Sequence, residues 1–98
     1  MKISQKQMKI NAQLYQLKKN LPCYCFICHK QKPLTLAHVL PRSLAPEHIT
    51  NPNNVVGLCI ECHDRYDNDI SFRKEQESMY KLAVDVDNVI ANRYFHKY

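Results

Sequence analysis

Cys25-Phe26-Ile27-Cys28 and, thirty residues further on, Cys59-Ile60-Glu61-Cys62-His63 are the stretches that decide this fold. Each Cys-x-x-Cys pair presents two sulfurs to one ion, so the two together can close a tetrahedral zinc site at Cys25, Cys28, Cys59 and Cys62. In a chain of 98 residues such a site holds together a domain too short to depend on a large core. The interval between the pairs is longer than the roughly 15–20 residues of a plain zinc ribbon. It contains Ala37-His38-Val39-Leu40-Pro41-Arg42-Ser43, a histidine followed three residues later by proline. It ends in Asn54-Val55-Val56-Gly57-Leu58, which leads into the second pair.

In that order the residues resemble the HNH endonuclease family, whose pattern is a zinc knuckle, a histidine before an x-x-Pro step, an asparagine, and a second knuckle ending in histidine. The resemblance covers residues 23–69. It implies a ββα-metal nuclease core, a divalent metal and hydrolysis of phosphodiester bonds in DNA. At one position the chain departs from the family. Many members carry Asp or His, often a ligand of the catalytic metal, where this chain has Ala37.

Composition narrows the class. A hydrophobic content of 45% excludes a mostly disordered chain. No stretch approaches the ~20 apolar residues of a membrane span. The Lys- and Gln-rich N-terminus lacks the apolar run of a secretory signal. An intracellular, reducing location, the cytoplasm, is the expectation, and there five cysteines read as metal ligands rather than disulfides. Cys23 is a spare thiol; the two-residue gap to Cys28 selects Cys25 instead. Charge is divided unevenly. Residues 1–49 hold eight basic side chains against the single acid Glu47, whereas residues 50–98 hold six basic and eight acidic ones. One side of the protein is thus expected to meet a polyanion.

The spacing of Ile10, Leu14, Leu17 and Leu21 predicts a helix over residues 4–20, stopped by Pro22. Its apolar stripe should pack on the core, leaving Lys2, Lys6, Lys9, Lys18 and Lys19 in solvent or near phosphates. Two short strands around a turn are expected between Cys25 and His38, and a loop with one helical turn near residues 45–49 after Pro41. A strand over residues 55–58 and a helix from Ile60 to about Tyr66 should follow. Ser71 is the expected N-cap of a last helix, residues 71–98. On it Met79, Leu82, Val86, Val89 and Ile90 form an apolar face for the core, a second copy or a protein partner. The predicted fold is a single α+β domain over residues 1–98: a basic helix in 1–21, a zinc-stapled ββα-metal core in 23–69, and the last helix.

Phosphodiester hydrolysis needs a base to deprotonate water and positive charge on the phosphate and leaving oxygen. His38 is the candidate base, since an imidazole titrates near neutrality when a partner fixes its orientation. Asn54 is the candidate orienter, able to hold a loop and a ring in register without adding charge. His63 directly follows a zinc-pinned cysteine, and a helix there puts it at i to Asp67 at i+4, on one face. That pair can hold a divalent ion and leave positions open for water and phosphate. Many HNH relatives have His-x-x-x-His where this chain ends the spacing in Asp67. An imidazole–carboxylate pair favours Mn²⁺, Co²⁺, Ni²⁺ or Zn²⁺ over Mg²⁺. Arg42 and Arg65 are candidate phosphate clamps, and Lys6, Lys9, Lys18 and Lys19 candidate contacts to the DNA backbone. The function read from these residues is a metal-dependent DNA endonuclease. The alternative, supported by Ala37, is a catalytically weak or inactive zinc-binding module that binds DNA or a protein partner.

Overall fold

Leu34–His38 (β1) and Val55–Cys59 (β2) form a two-stranded antiparallel sheet in which Leu34 pairs with Cys59 and His38 with Val55. At about 3.4 Å per residue, this register keeps Cys59 and His38 about 14 Å apart, at opposite ends of the ladder. The computed structural model describes residues 4–97. Ahead of the sheet lies a helix, α1 (Gln5–Lys19), and β2 runs directly into α2 (Ile60–Asn68). Three short helices follow: α3 (Ile70–Lys74), α4 (Glu77–Val86) and α5 (Asn88–Tyr94). The protein is a small α+β domain of five helices and one two-stranded sheet among the described residues.

The core lies between the sheet, α2 and the C-terminal helices. Tyr66, Phe95, Leu40, Leu58, Met79 and Val39 are its largest fully buried apolar side chains. Burying one such residue contributes roughly 1.5–3 kcal/mol relative to exposure. Phe95 is met edge-on by Tyr66 at 5.9 Å and by Tyr80 at 5.3 Å between ring centroids, the arrangement ring quadrupoles favour. Gly57 admits a close approach at the outer edge. A β-carbon there would come within 3.0 Å of Leu34 Cδ1 and 3.3 Å of Leu21 Cδ1.

Several expectations need correction. The segment from Cys25 to Pro33 holds no strand, because its backbone bonds close on themselves. His29 N–H donates to Cys25 O at 2.9 Å and Cys25 N–H to Lys30 O at 3.0 Å, which leaves Phe26 N–H to reach Gly57 O on β2. The strand pair is therefore β1 with β2. The expected 71–98 helix is three helices, and Ser71 lies inside α3. Asp69 caps α3 by accepting from Phe72 N–H, and Asp87 caps α5 by accepting from Ile90 N–H. At Asp87 the backbone leaves the helical path (φ −160°), so Val89 falls off the apolar face and is 77% exposed. The α1 stripe does not enter the core: Ile10, Leu14, Leu17 and Leu21 are half-buried, and no α1 residue is buried. Lys2 and Tyr98 lie outside the described residues. Among those residues, no helix is long and apolar enough to cross a membrane.

Candidate functional site

Two groupings of chemically capable side chains lie against the sheet. The first is the cysteine set. Cys25, Cys28, Cys59 and Cys62 bring their sulfurs within 4.8 Å of one another, and Cys28 Sγ lies 3.9 Å from Cys59 Sγ. Sulfurs about 2.3 Å from a tetrahedral zinc ion stand about 3.8 Å apart, so the set fits a structural metal such as zinc. Its protonation is unequal. Burial raises the Cys25 thiol, but backbone hydrogen bonds from Cys28, Cys59 and Ile27 outweigh it and bring the group down to about 6. Burial, then hydrogen bonding with Cys59 and Cys25, pushes the Cys62 thiol up. A cation among the four would release the Cys62 proton, since the thiolate is the ligand. Cys23 is exposed and outside the set.

The second grouping forms where α2 passes the sheet and the far end of β1. His38, Pro41, Arg42, Ser43, His63, Asp67 and Tyr94 line an open cleft of about 470 Å³. His38 closes β1 there, and its Nε2 lies 2.8 Å from the Ile49 carbonyl. A carbonyl only accepts, so Nε2 carries the proton and a neutral ring keeps Nδ1 as its acceptor. The orienter of the ring is thus Ile49, and Asn54 acts one step removed. Asn54 is fully buried, takes Leu40 N–H on Oδ1 at 2.8 Å, and donates through Nδ2 to Leu40 O and His48 O, each at 3.1 Å. It ties both arms of the 39–54 loop together, which holds Ile49 over the ring. With every polar atom spent on backbone, Asn54 is a positioning residue. The Tyr66 hydroxyl adds a second tie by donating to Val39 O at 2.5 Å.

On α2, His63 and Asp67 share a face as their spacing requires, with Nε2 and Oδ2 3.2 Å apart. His63 Nδ1 meets Thr35 Oγ1 at 2.7 Å, and that hydroxyl donates to Leu58 O at 2.8 Å. The backbone of Asp67 is held from below by Arg73. This arginine is 5% exposed and has no acidic partner among the hydrogen bonds of the described residues. It donates instead to three carbonyls: Tyr66 and Asp67 at 2.8 Å each, and Tyr94 at 3.1 Å. These are the C-terminal ends of α2 and α5, where helix dipoles concentrate negative potential. Its guanidinium also lies 3.8 Å from the Tyr94 ring centroid. Burial raises the Tyr94 phenol to about 12, so at neutral pH it faces the cleft uncharged, as a hydrogen-bonding group.

The fold therefore brings His38, Arg42, His63 and Asp67 together and leaves other candidates elsewhere. Arg65 does not line the cleft. Two residues beyond His63, it is turned about 200° around the helix, and its guanidinium lies 4.1 Å from the Phe72 ring centroid. Lys6, Lys9, Lys18 and Lys19 are exposed on α1, away from the cleft lining. Ala37 is fully buried and offers no ligand atom. Glu47, His48 and Asp87 also bring donor atoms within 4.8 Å of one another. There, His48 Nδ1 is met by the Asn51 amide and Asp87 already caps α5. Sequence reasoning missed Thr35, Arg73 and Tyr94. Strand alternation supplied a signal for the first, which lies on the same face of β1 as Ala37. Compared with protein-family models, curated proteins and solved structures, the chain matches none.

Proposed function

We propose that this protein is a metal-dependent DNA endonuclease of the HNH type, hydrolysing phosphodiester bonds in the cleft between β1, the loop after it and α2. The observation that carries the reading is the meeting of His38, Arg42, His63 and Asp67 on one open cleft. His38, with Nε2 committed to Ile49, takes a proton from attacking water at Nδ1. Arg42 binds a phosphate oxygen, with Ser43 and Tyr94 as neutral hydrogen-bonding groups on the same wall. His63 Nε2 and Asp67 Oδ2 are the atoms that would hold a divalent ion. Their 3.2 Å separation matches the roughly 3 Å between adjacent donors about 2.1 Å from one ion. Such an ion supplies positive charge to the phosphate and leaving oxygen. An imidazole with a carboxylate suits Mn²⁺, Co²⁺, Ni²⁺ or Zn²⁺ better than Mg²⁺. The basic first half of the chain, including the exposed α1 lysines, supports a nucleic-acid substrate by adding affinity for any phosphate backbone. The resemblance of residues 23–69 to the HNH pattern selects DNA.

One observation favours the second reading, a zinc module that binds DNA or a protein without cutting. Ala37 puts a buried methyl group where many members of the HNH family, which the sequence resembles, place a ligand. Nicking of supercoiled plasmid with Mg²⁺, Mn²⁺, Co²⁺, Ni²⁺ and Zn²⁺ separates the two. Under the endonuclease reading at least one ion supports cleavage, and His38→Ala lowers the rate by about 10²–10⁴-fold while DNA and metal binding persist. His63→Ala loses the catalytic ion and the cleavage with it, yet retains the zinc of the four cysteines. Salt-sensitive DNA binding without nicking in any ion would establish the binding module instead.

A further inference from the structure

We propose that Thr35 is a positioning residue for the cleft cation: its hydroxyl fixes the His63 tautomer so that the Nε2 lone pair faces Asp67. The inference rests on the metal-dependent reading above and adds a residue to its site. A threonine hydroxyl has one hydrogen and two lone pairs. Leu58 O, 2.8 Å from Thr35 Oγ1, can only accept, so the hydroxyl hydrogen goes there. Toward His63 the oxygen then presents a lone pair, and Nδ1 at 2.7 Å must be the nitrogen that donates. A neutral His63 therefore carries its proton on Nδ1, and Nε2 turns a lone pair toward Asp67 Oδ2 at 3.2 Å. Two acceptors face each other across that gap. A cation between them converts the opposition into coordination, whereas the other tautomer would place an N–H there and close the site.

The arrangement has the form of an outer hydrogen bond that orients a metal-binding imidazole, and loss of such a partner typically costs 10–100-fold in metal affinity. Thr35 is well suited to the role because it is anchored at both ends. Its backbone pairs with Leu58 in the β1–β2 register, and its hydroxyl returns to the carbonyl of that same residue. The hydroxyl hydrogen is thereby bound to the sheet and has no reason to rotate toward the ring.

The test is a Mn²⁺ titration of the zinc-loaded protein followed by electron paramagnetic resonance, an ion chosen because it leaves thiolate-bound zinc in place. Wild type is expected to bind one Mn²⁺ that His63→Ala abolishes. Thr35→Val, which keeps the shape and removes the hydroxyl, should weaken that binding about 10–100-fold, and Thr35→Ser should recover most of the loss. Equal affinity in wild type and Thr35→Val overturns the proposal while leaving the cation site intact. Absence of His63-dependent Mn²⁺ binding in wild type overturns the metal-dependent reading itself. A second measurement needs no added Mn²⁺: long-range ¹⁵N–¹H correlation of the His63 ring at mildly alkaline pH. It should show Nδ1–H in wild type and Thr35→Ser; an Nε2–H ring in wild type refutes the tautomer assignment.

Discussion

The cysteine set and the cleft are both groupings of potential metal ligands built from the same sheet and helix, and they differ in nearly every physical respect. Three of the four cysteines are buried, all four donors are sulfur, and the set is numerically complete for a tetrahedral ion. Along α2 from the cysteines, one imidazole and one carboxylate face an open cleft that reaches to His38 at the far end of β1, and any ion there would keep positions free for water and phosphate. Closed four-sulfur sites hold structure, while incomplete sites that mix nitrogen and oxygen are the ones that permit chemistry. The lesson is one of division of labour along a short hairpin. Cys59 and His38 sit at opposite ends of the ladder, while His63 follows Cys62 directly, so a metal held by the cysteines would anchor one wall of the cleft and leave the other to the 39–54 loop.

The comparison breaks most decisively at the cysteines. Cys59→Ser should release the bound metal and unfold the domain, since the apparent binding energy of structural zinc, about 10–16 kcal/mol in small zinc peptides, is folding energy. Metal analysis with circular dichroism checks this; a folded, metal-free variant would mean that the core alone carries the fold. Arg73→Met sharpens the other side. It removes the donor from three carbonyls, that of Tyr66 buried and those of Asp67 and Tyr94 partly so, and should cost about 3 kcal/mol in urea unfolding, with zinc content unchanged. Arg73→Lys should recover little, because one ammonium cannot span donors set by a planar fork. The smallest effect belongs to the first knuckle. His29 sits at φ 62°, a left-handed conformation that burdens a side chain, so His29→Gly should stabilise the protein by roughly 0.5–1 kcal/mol. A loss of stability on that change would show that the histidine ring contributes contacts of its own.

The parts of the molecule legible in the sequence were those written as spacing. Paired cysteines, a histidine and an aspartate four apart on a helix, and the aliphatic run before Cys59 each impose a geometry before any tertiary contact forms. What escaped were roles defined by backbone partners. Ile49 orients His38 through its carbonyl, which every residue possesses, so no sequence signal marks it. Arg73 reads as one more basic residue on a helix; only the convergence of the α2 and α5 ends gives it three acceptors. The Arg65 expectation ignored a rule already available, because residues two apart on a helix point in nearly opposite directions. The single C-terminal helix broke at residues 75–76, where no side chain caps the restart, and at Asp87, whose carboxylate caps a new helix more effectively than a helix interior tolerates it.

The half-buried stripe of α1 has a consequence for how the protein opens. A fifteen-residue helix is marginal alone in water, and this one adds no buried side chain to the core. Its attachment runs through Leu21 and the edge of the sheet, close to Gly57. Detaching α1 therefore requires far less free energy than melting β2, whose residues from Val56 to Cys59 are buried. The protein has two rungs of stability: a shallow one on which the lysine-bearing arm lets go and returns, and a deep one on which the stapled hairpin is lost. Docking that arm along a polyanion would raise the shallow rung without touching the deep one, so association would show as slowed amide exchange confined to residues 5–19.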